Sequence, residues 1–153
     1  MENFRETLFK IYNETNAYGR LHGMVLTKID PEFIEYKMTV GKDHLATPTT
    51  AHGGLVAAYM DGILGVAALN KSSVNACLVS TVEFKINYLM PVFDRDILIG
   101  KGWVISNGKR IIIAQGEVIN EKSGQKVAIA TGTFNAYPYE KSGMNFDDFR
   151  HLF

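Results

Sequence analysis

The sequence predicts an α+β domain in which an antiparallel sheet wraps around one long central helix. Three observations lead there. The stretch TTAHGGLVAAYMDGILGVAAL, residues 49–69, is apolar on nearly every side of a helical projection, and a helix of that kind is buried on most of its surface. Up to four later segments have the character of strands and are joined by short connections, which favour antiparallel pairing. Small residues recur inside those strands at Gly100, Gly102, Ala114, Gly116, Ala130 and Gly132. Glycine weakens a strand, so its repetition marks a bulge or the close approach of another backbone.

The elements follow in order. From Glu2 to about Asn16, Phe4, Leu8, Ile11 and Tyr12 recur at helical spacing, which predicts a short amphipathic helix. GMVLTKIDPEFIEYKMTVG then reads as two strands joined at Asp30-Pro31-Glu32, a turn in which proline presets φ. The polar link KDHLATPTT leads into the central helix. At about 100° per residue, Gly54, Ala58, Asp61, Gly65 and Ala68 fall on one narrow face, opposite Val56, Met60, Ile63 and Ala67. The small-residue face is the expected match for the strand glycines.

Beyond the helix, Val82, Phe84, Ile86 and Tyr88 alternate with Thr81, Glu83, Lys85 and Asn87, the period of a strand with one buried face. DILIGKGWVIS and RIIIAQGEVIN meet at Asn107-Gly108, a hairpin signal. QKVAIATGTFNAY forms the last long strand after a turn near Lys122-Ser123-Gly124. In the tail, Phe146, Phe149, Leu152 and Phe153 are spaced to dock on the body or on a neighbour.

The 153 residues suit one domain, 1–153: a helix over about 2–16, a core over about 22–137 and a tail over 138–153. Sixteen Lys and Arg balance sixteen Asp and Glu without a basic stripe, which argues against nucleic acid as a partner. The lone Cys77 has no partner in the chain, which suits a reducing, cytoplasmic setting. MENFRETLFK lacks an apolar signal core. The apolar run Leu55–Leu69 is short for a bilayer and holds Asp61 and two glycines, so no membrane partner is expected. Zinc-type Cys/His spacing and a Gly-Lys-Ser phosphate loop are both missing, so neither metal nor cofactor is expected.

The candidate chemistry lies in the central helix. The first N–H groups of a helix have no internal acceptor and sit at the positive end of its dipole. His52-Gly53-Gly54 opens this helix, so a ligand can reach those amides without meeting a Cβ. Gly53 is then placed to stabilise an oxygen that gains charge in acyl transfer; the alternative is that the glycines only fit a tight opening turn. Asp61 is either a reactive carboxylate sharpened by burial or a structural one satisfied by threonine hydroxyls or backbone amides. It follows His52 by nine residues, about 13 Å along a helix, whereas catalytic contacts span about 3 Å. If Asp61 and Gly53 act on one substrate they come from different subunits, which predicts a two-fold dimer of antiparallel helices.

AHGGLVAAYMDGILGVAAL, with its His-Gly-Gly, six residues and Asp, resembles the signature of hotdog-fold acyl-CoA thioesterases, in particular the phenylacetate-pathway type of the 4-hydroxybenzoyl-CoA thioesterase superfamily. The resemblance covers about residues 22–137 and includes the strand order and the strand end FKINYLMPV. It implies a hotdog fold and hydrolysis of an acyl-CoA at a site shared across a homodimer, or a dimer of dimers, with coenzyme A as part of the substrate. Asp61 would be general base or nucleophile, the Gly53 N–H would polarise the thioester carbonyl, and Thr81 would hold the attacking water. His52, Gly54, Thr49 and Thr50 would border the substrate, with His52 fixing the helix start. Coenzyme A would need cations for its phosphates; Arg110, with Arg95 and Lys109, lies near predicted turns and strand ends and could supply them, the alternative being that these are solvated surface charges. One departure stands out. Relatives often carry His-x-Asn-x-x-Gly before His-Gly-Gly; here His44 matches, but Ala46 replaces the asparagine and Thr49 the glycine. That departure admits a second reading, an acyl-CoA- or lipid-binding protein without turnover.

Overall fold

The computed structural model describes residues 3–152. Two of the positions assigned above to the terminal segments, Glu2 and Phe153, lie outside that range. The order is α1 (Phe4–Thr15), α2 (Ala17–Leu21), β1 (Val25–Ile29), β2 (Phe33–Thr39), α3 (Gly53–Ser72), β3 (Cys77–Tyr88), β4 (Ile97–Asn107), β5 (Ile111–Asn120) and β6 (Lys126–Pro138). The six strands form one antiparallel sheet in the order β1-β2-β4-β5-β6-β3, with β1 and β3 at its edges. The long α3 packs on one face of this sheet, giving the predicted α+β architecture of a hotdog fold.

The strand glycines do mark a close approach. A Cβ at Gly102 would stand 2.8 Å from the Ile63 carbonyl oxygen, and one at Gly116 would stand 3.1 Å from Leu64 and 3.2 Å from Met60. The helix therefore sits against the sheet backbone itself. The face that does so is the reverse of the expected one. Met60, Ile63, Leu64 and Ala67, all fully buried, meet the glycines. Gly54, Ala58, Asp61 and Gly65 lie on the exposed or half-buried side, and of that group only Ala68 is buried. Small residues on one partner are enough for contact; the other supplies bulk to fill the space.

The helix opens at Gly53 behind the capping His52, where the sequence placed its start, and just before it Thr50 is bridged to Phe93 and Ala51 to Leu45. Three further details depart from the sequence reading. The short α2 has too few apolar positions to reveal its period. In β3 a bulge between Thr81 and Glu83 interrupts the alternation, so Val82 (59% exposed) faces outward; Phe84 and Ile86 keep to the core, and Tyr88, at the exposed strand end, reaches the start of α3 instead. In the β4–β5 hairpin the last ladder pair is Asn107 and Ile112 and the Gly108 N–H donates to the Ile111 carbonyl at 2.9 Å, so the turn falls on Lys109 and Arg110 rather than on Asn107-Gly108.

The tail docks where the spacing suggested. Phe146 stacks on Phe4 of α1 at 5.1 Å and packs against Tyr139 at 4.5 Å. Arg5 of α1 also donates from Nε (3.0 Å) and Nη2 (2.5 Å) to the Asn70 side chain of α3. The α1 helix is thus tied to the central helix, and Phe146 of the tail is packed on α1. By length and hydropathy α3 could cross a membrane, but most of its side chains are buried within the domain.

Candidate active site

Asp61 projects from the third turn of α3 and is half-buried in the chain, less enclosed than its apolar surroundings suggested. Thr81, at the bulge of β3, donates from Oγ1 to Asp61 Oδ1 at 2.9 Å. The carboxylate is therefore oriented by a threonine hydroxyl, the partner that the structural reading of Asp61 named. The pair borders a cavity of about 350 Å³ whose apolar wall includes Leu8 and Ile11 of α1, Val66 and Leu69 of α3, and Leu78 and Phe134 of the sheet.

Tyr12 of α1 divides this cavity from a smaller one of about 240 Å³, and Asp61 lines both. Its hydroxyl lies 3.0 Å from that of Tyr36 and accepts from Asn16 Nδ2 at 3.0 Å. Burial raises the Tyr12 phenol above its ordinary pKa; the Tyr36 hydrogen bond pulls it down, and the negative Asp61 pushes it up. Burial likewise raises Tyr36 and Tyr59. All three tyrosines line the smaller cavity with Asp61.

The second group of residues lies at the start of α3. His52 caps the helix, its Nδ1 accepting from the Gly54 N–H at 2.7 Å. That bond consumes the Gly54 donor, whereas the Gly53 N–H meets no acceptor among the described residues. Tyr88 fixes this turn from the other side, donating from its hydroxyl to the Gly53 carbonyl at 3.0 Å. Thr47 Oγ1 accepts from the N–H groups of Thr50 (2.9 Å) and Thr49 (3.3 Å) and lies 2.5 Å from Thr50 Oγ1. The hydroxyls of Thr47 and Thr50 therefore bind each other and the loop. His44 ties the loop to the helix, its carbonyl accepting from the His52 N–H at 2.8 Å.

Arg110 lies elsewhere. With Lys109 and Lys141 it borders a cleft of about 770 Å³ beside Ser72 and Asn75, at the C-terminal end of α3. The fold therefore gathers the candidates into three groups: Asp61 with Thr81; His52, Gly53 and Gly54 with Thr49 and Thr50; and Arg110 alone. Tyr12, Tyr36 and Tyr88 were missed. Tyr12 was visible as one apolar position of α1, but nothing local in the sequence lays α1 beside Asp61.

Residues 49–127 match the family model of the Thioesterase superfamily. The chain belongs to that superfamily. Acyl-coenzyme A thioesterase 13 of Mus musculus is 27% identical over 128 residues, which cover 83% of this chain and 89% of the mouse protein. Among solved structures, the PaaI protein of the E. coli phenylacetic acid degradation operon superposes with a TM-score of 0.75 at 20% identity, covering 89% of this chain and 96% of that one. A thioesterase from Haemophilus influenzae gives a TM-score of 0.74 at 18% identity, covering 86% and 92%. These neighbours share the hotdog fold.

In this thioesterase-superfamily domain the open side of α3 presents a carboxylate acceptor held by the Thr81 hydroxyl of β3 and, eight residues earlier, an N–H donor unpaired among the described residues. Eight residues correspond to about 12 Å of helix. A single carbonyl cannot touch both the Asp61 and the Gly53 of one chain.

Proposed function

We propose that this protein hydrolyses acyl-CoA thioesters to a free acid and coenzyme A, as a two-fold dimer in which Asp61 of one protomer and the partner's Gly53 act on the same carbonyl. The observation that carries the reading is Asp61 at the mouth of an apolar cavity, with one carboxylate oxygen held by Thr81. The free oxygen takes a proton from water as the water oxygen bonds to the carbonyl carbon. Charge moves to the carbonyl oxygen, where the partner's Gly53 N–H, at a helix N-terminus, stabilises it. Collapse breaks the C–S bond, and the departing thiolate recovers the proton from Asp61. Water and the thioester supply every atom of the products.

Three features support the dimer. The Gly53 donor is unused among the described residues, the side of α3 bearing Asp61 is open, and β3 is a twelve-residue edge strand with an outward Val82. A long unpaired edge offers its N–H and C=O groups to a second chain. Arg110, Lys109 and Lys141 are the groups proposed for the phosphates of coenzyme A. Asp61 and Ser72, beside that cleft, are about 17 Å apart along α3. The 13 bonds from thioester sulfur to first phosphorus reach about 15 Å when extended, taking the reach per bond from extended backbone. The single Cys77 suits a reducing cytoplasm as the setting.

A second reading, acyl-CoA binding without turnover, is favoured by Ala46 and by the Thr47 and Thr50 hydroxyls, which bond to each other rather than facing a substrate. Free-thiol release from a panel of acyl-CoAs separates the two. Asp61→Asn is expected to lower kcat/KM by about 100-fold or more. Turnover surviving that change removes Asp61 from the mechanism, and tight binding without release by the wild type favours the second reading.

A further inference from the structure

Resting on the acyl-CoA reading above, we infer that the two ends of the chain build the acyl subsite and set the acyl length it accepts, with Tyr12 of α1 and Met144 of the tail as its outer wall. The cavity beside Asp61 is bounded on the inside by Gly62, Gly65 and Val66 of α3 and by Phe134 of the sheet, and on the outside by α1 and Met144. Its outer wall is held by specific contacts. Arg5 is bonded to Asn70, and Phe4 packs edge-on to Tyr139 at 5.2 Å. The Tyr139 hydroxyl accepts from the Phe146 N–H at 2.9 Å, fixing the segment that carries Met144.

The inner wall is thinned at the same level. Glycine weakens a helix interior, yet a Cβ at Gly62 would meet nothing within 4 Å, and one at Gly65 would make only an ordinary 3.6 Å contact with the Phe134 ring. The packing of this chain does not require either glycine, and both border the cavity. At about 30 Å³ per heavy atom, the share of a water molecule in the liquid, the 350 Å³ holds an acyl group of about a dozen heavy atoms. A decanoyl group fills it. A butyryl group leaves apolar wall uncovered, and a palmitoyl group has to displace Met144.

The test uses the full chain with butyryl-, decanoyl- and palmitoyl-CoA, reading equilibrium binding and thiol release, with size-exclusion chromatography on each variant. Wild type is expected to bind decanoyl-CoA about tenfold or more tighter than butyryl-CoA, because each buried methylene adds affinity. Gly65→Leu, which fills the cavity from the helix, is expected to lower the decanoyl-to-butyryl ratio about tenfold. Met144→Ala, at an exposed position that leaves the core intact, is expected to raise the palmitoyl-to-decanoyl ratio about threefold or more. Ratios that stay at the wild-type value in Met144→Ala and in folded Gly65→Leu overturn the inference, as does a wild type without length preference. Loss of the native oligomer in Gly65→Leu also counts against it, because the glycine then serves assembly. If the wild type releases no thiol while the binding ratios shift as stated, hydrolysis fails and the acyl subsite stands.

Discussion

The two sides of α3 obey different rules. On the sheet side, Tyr59, Met60, Ile63 and Leu64 are buried and press on glycines so closely that a Cβ at Gly102 would strike helix backbone. On the other side, Gly54, Ala58, Asp61, Gly62 and Gly65 are open or half-buried. One side is filled to the limit and holds the fold together. The other keeps free volume around a carboxylate and an unused N–H, the groups that chemistry needs. Close packing makes an added methyl costly on the first side, whereas the second has room for one at Gly62 and Gly65.

Substitutions on the two sides should therefore differ in sign. Gly102→Val is expected to destabilise the domain by about 2–3 kcal/mol in chemical denaturation, because the clash is with backbone that cannot rotate away. A cost near zero would mean that the helix and sheet are less tightly apposed than described. Gly62→Ala is expected to stabilise by about 1 kcal/mol, the helix-propensity gain where space is free. Destabilisation there would show that the partner protomer of the proposed dimer packs on Gly62 itself, and not only around Asp61 and Gly53.

A smaller effect concerns the loop that leads into α3. Desolvation lowers the pKa of His44 below its ordinary value, His22 adding to the shift and Asp43 opposing it. Its Nδ1 accepts from the Gly41 N–H at 3.0 Å, a bond that protonation at that nitrogen would break. Below the ordinary histidine pKa the unfolded chain therefore binds more protons than the folded one, and stability falls as pH drops through this range. His44→Gln should flatten that dependence in thermal melts taken between about pH 5 and 7.5. An unchanged slope would assign it to another group.

Much of this contrast was legible in the sequence. The glycines at 100, 102 and 116 signalled a close backbone neighbour because strands seldom tolerate them otherwise. Asp61 within an apolar helix was conspicuous, and a threonine partner was one of the two possibilities its burial allowed. The side of α3 facing the sheet was not legible. A nearly uniform apolar helix has no polar stripe to orient it, and small residues on both elements suggested a match that the packing does not use. Thr81 could be named, but the bulge that follows it depends on pairing with β6, far along the chain. The place of Tyr12 depends on tertiary topology in the same way.

The account turns on one carbonyl being served by two chains, and subunit mixing tests that directly. Gly53→Pro removes the N–H at the first helical position, where proline is well tolerated. The extended His52 (φ −65°, ψ 134°) suits a following proline, and Tyr88 stands an ordinary 3.7 Å from the Cβ position. Gly53→Pro and Asp61→Asn are each expected to lose about 100-fold in thiol release as separate preparations. Dissociated, mixed in equal amounts and reassociated, they should recover about a quarter of wild-type activity, since half the dimers then contain one site with both groups intact. No recovery in dimers shown to have exchanged subunits would contradict the shared site.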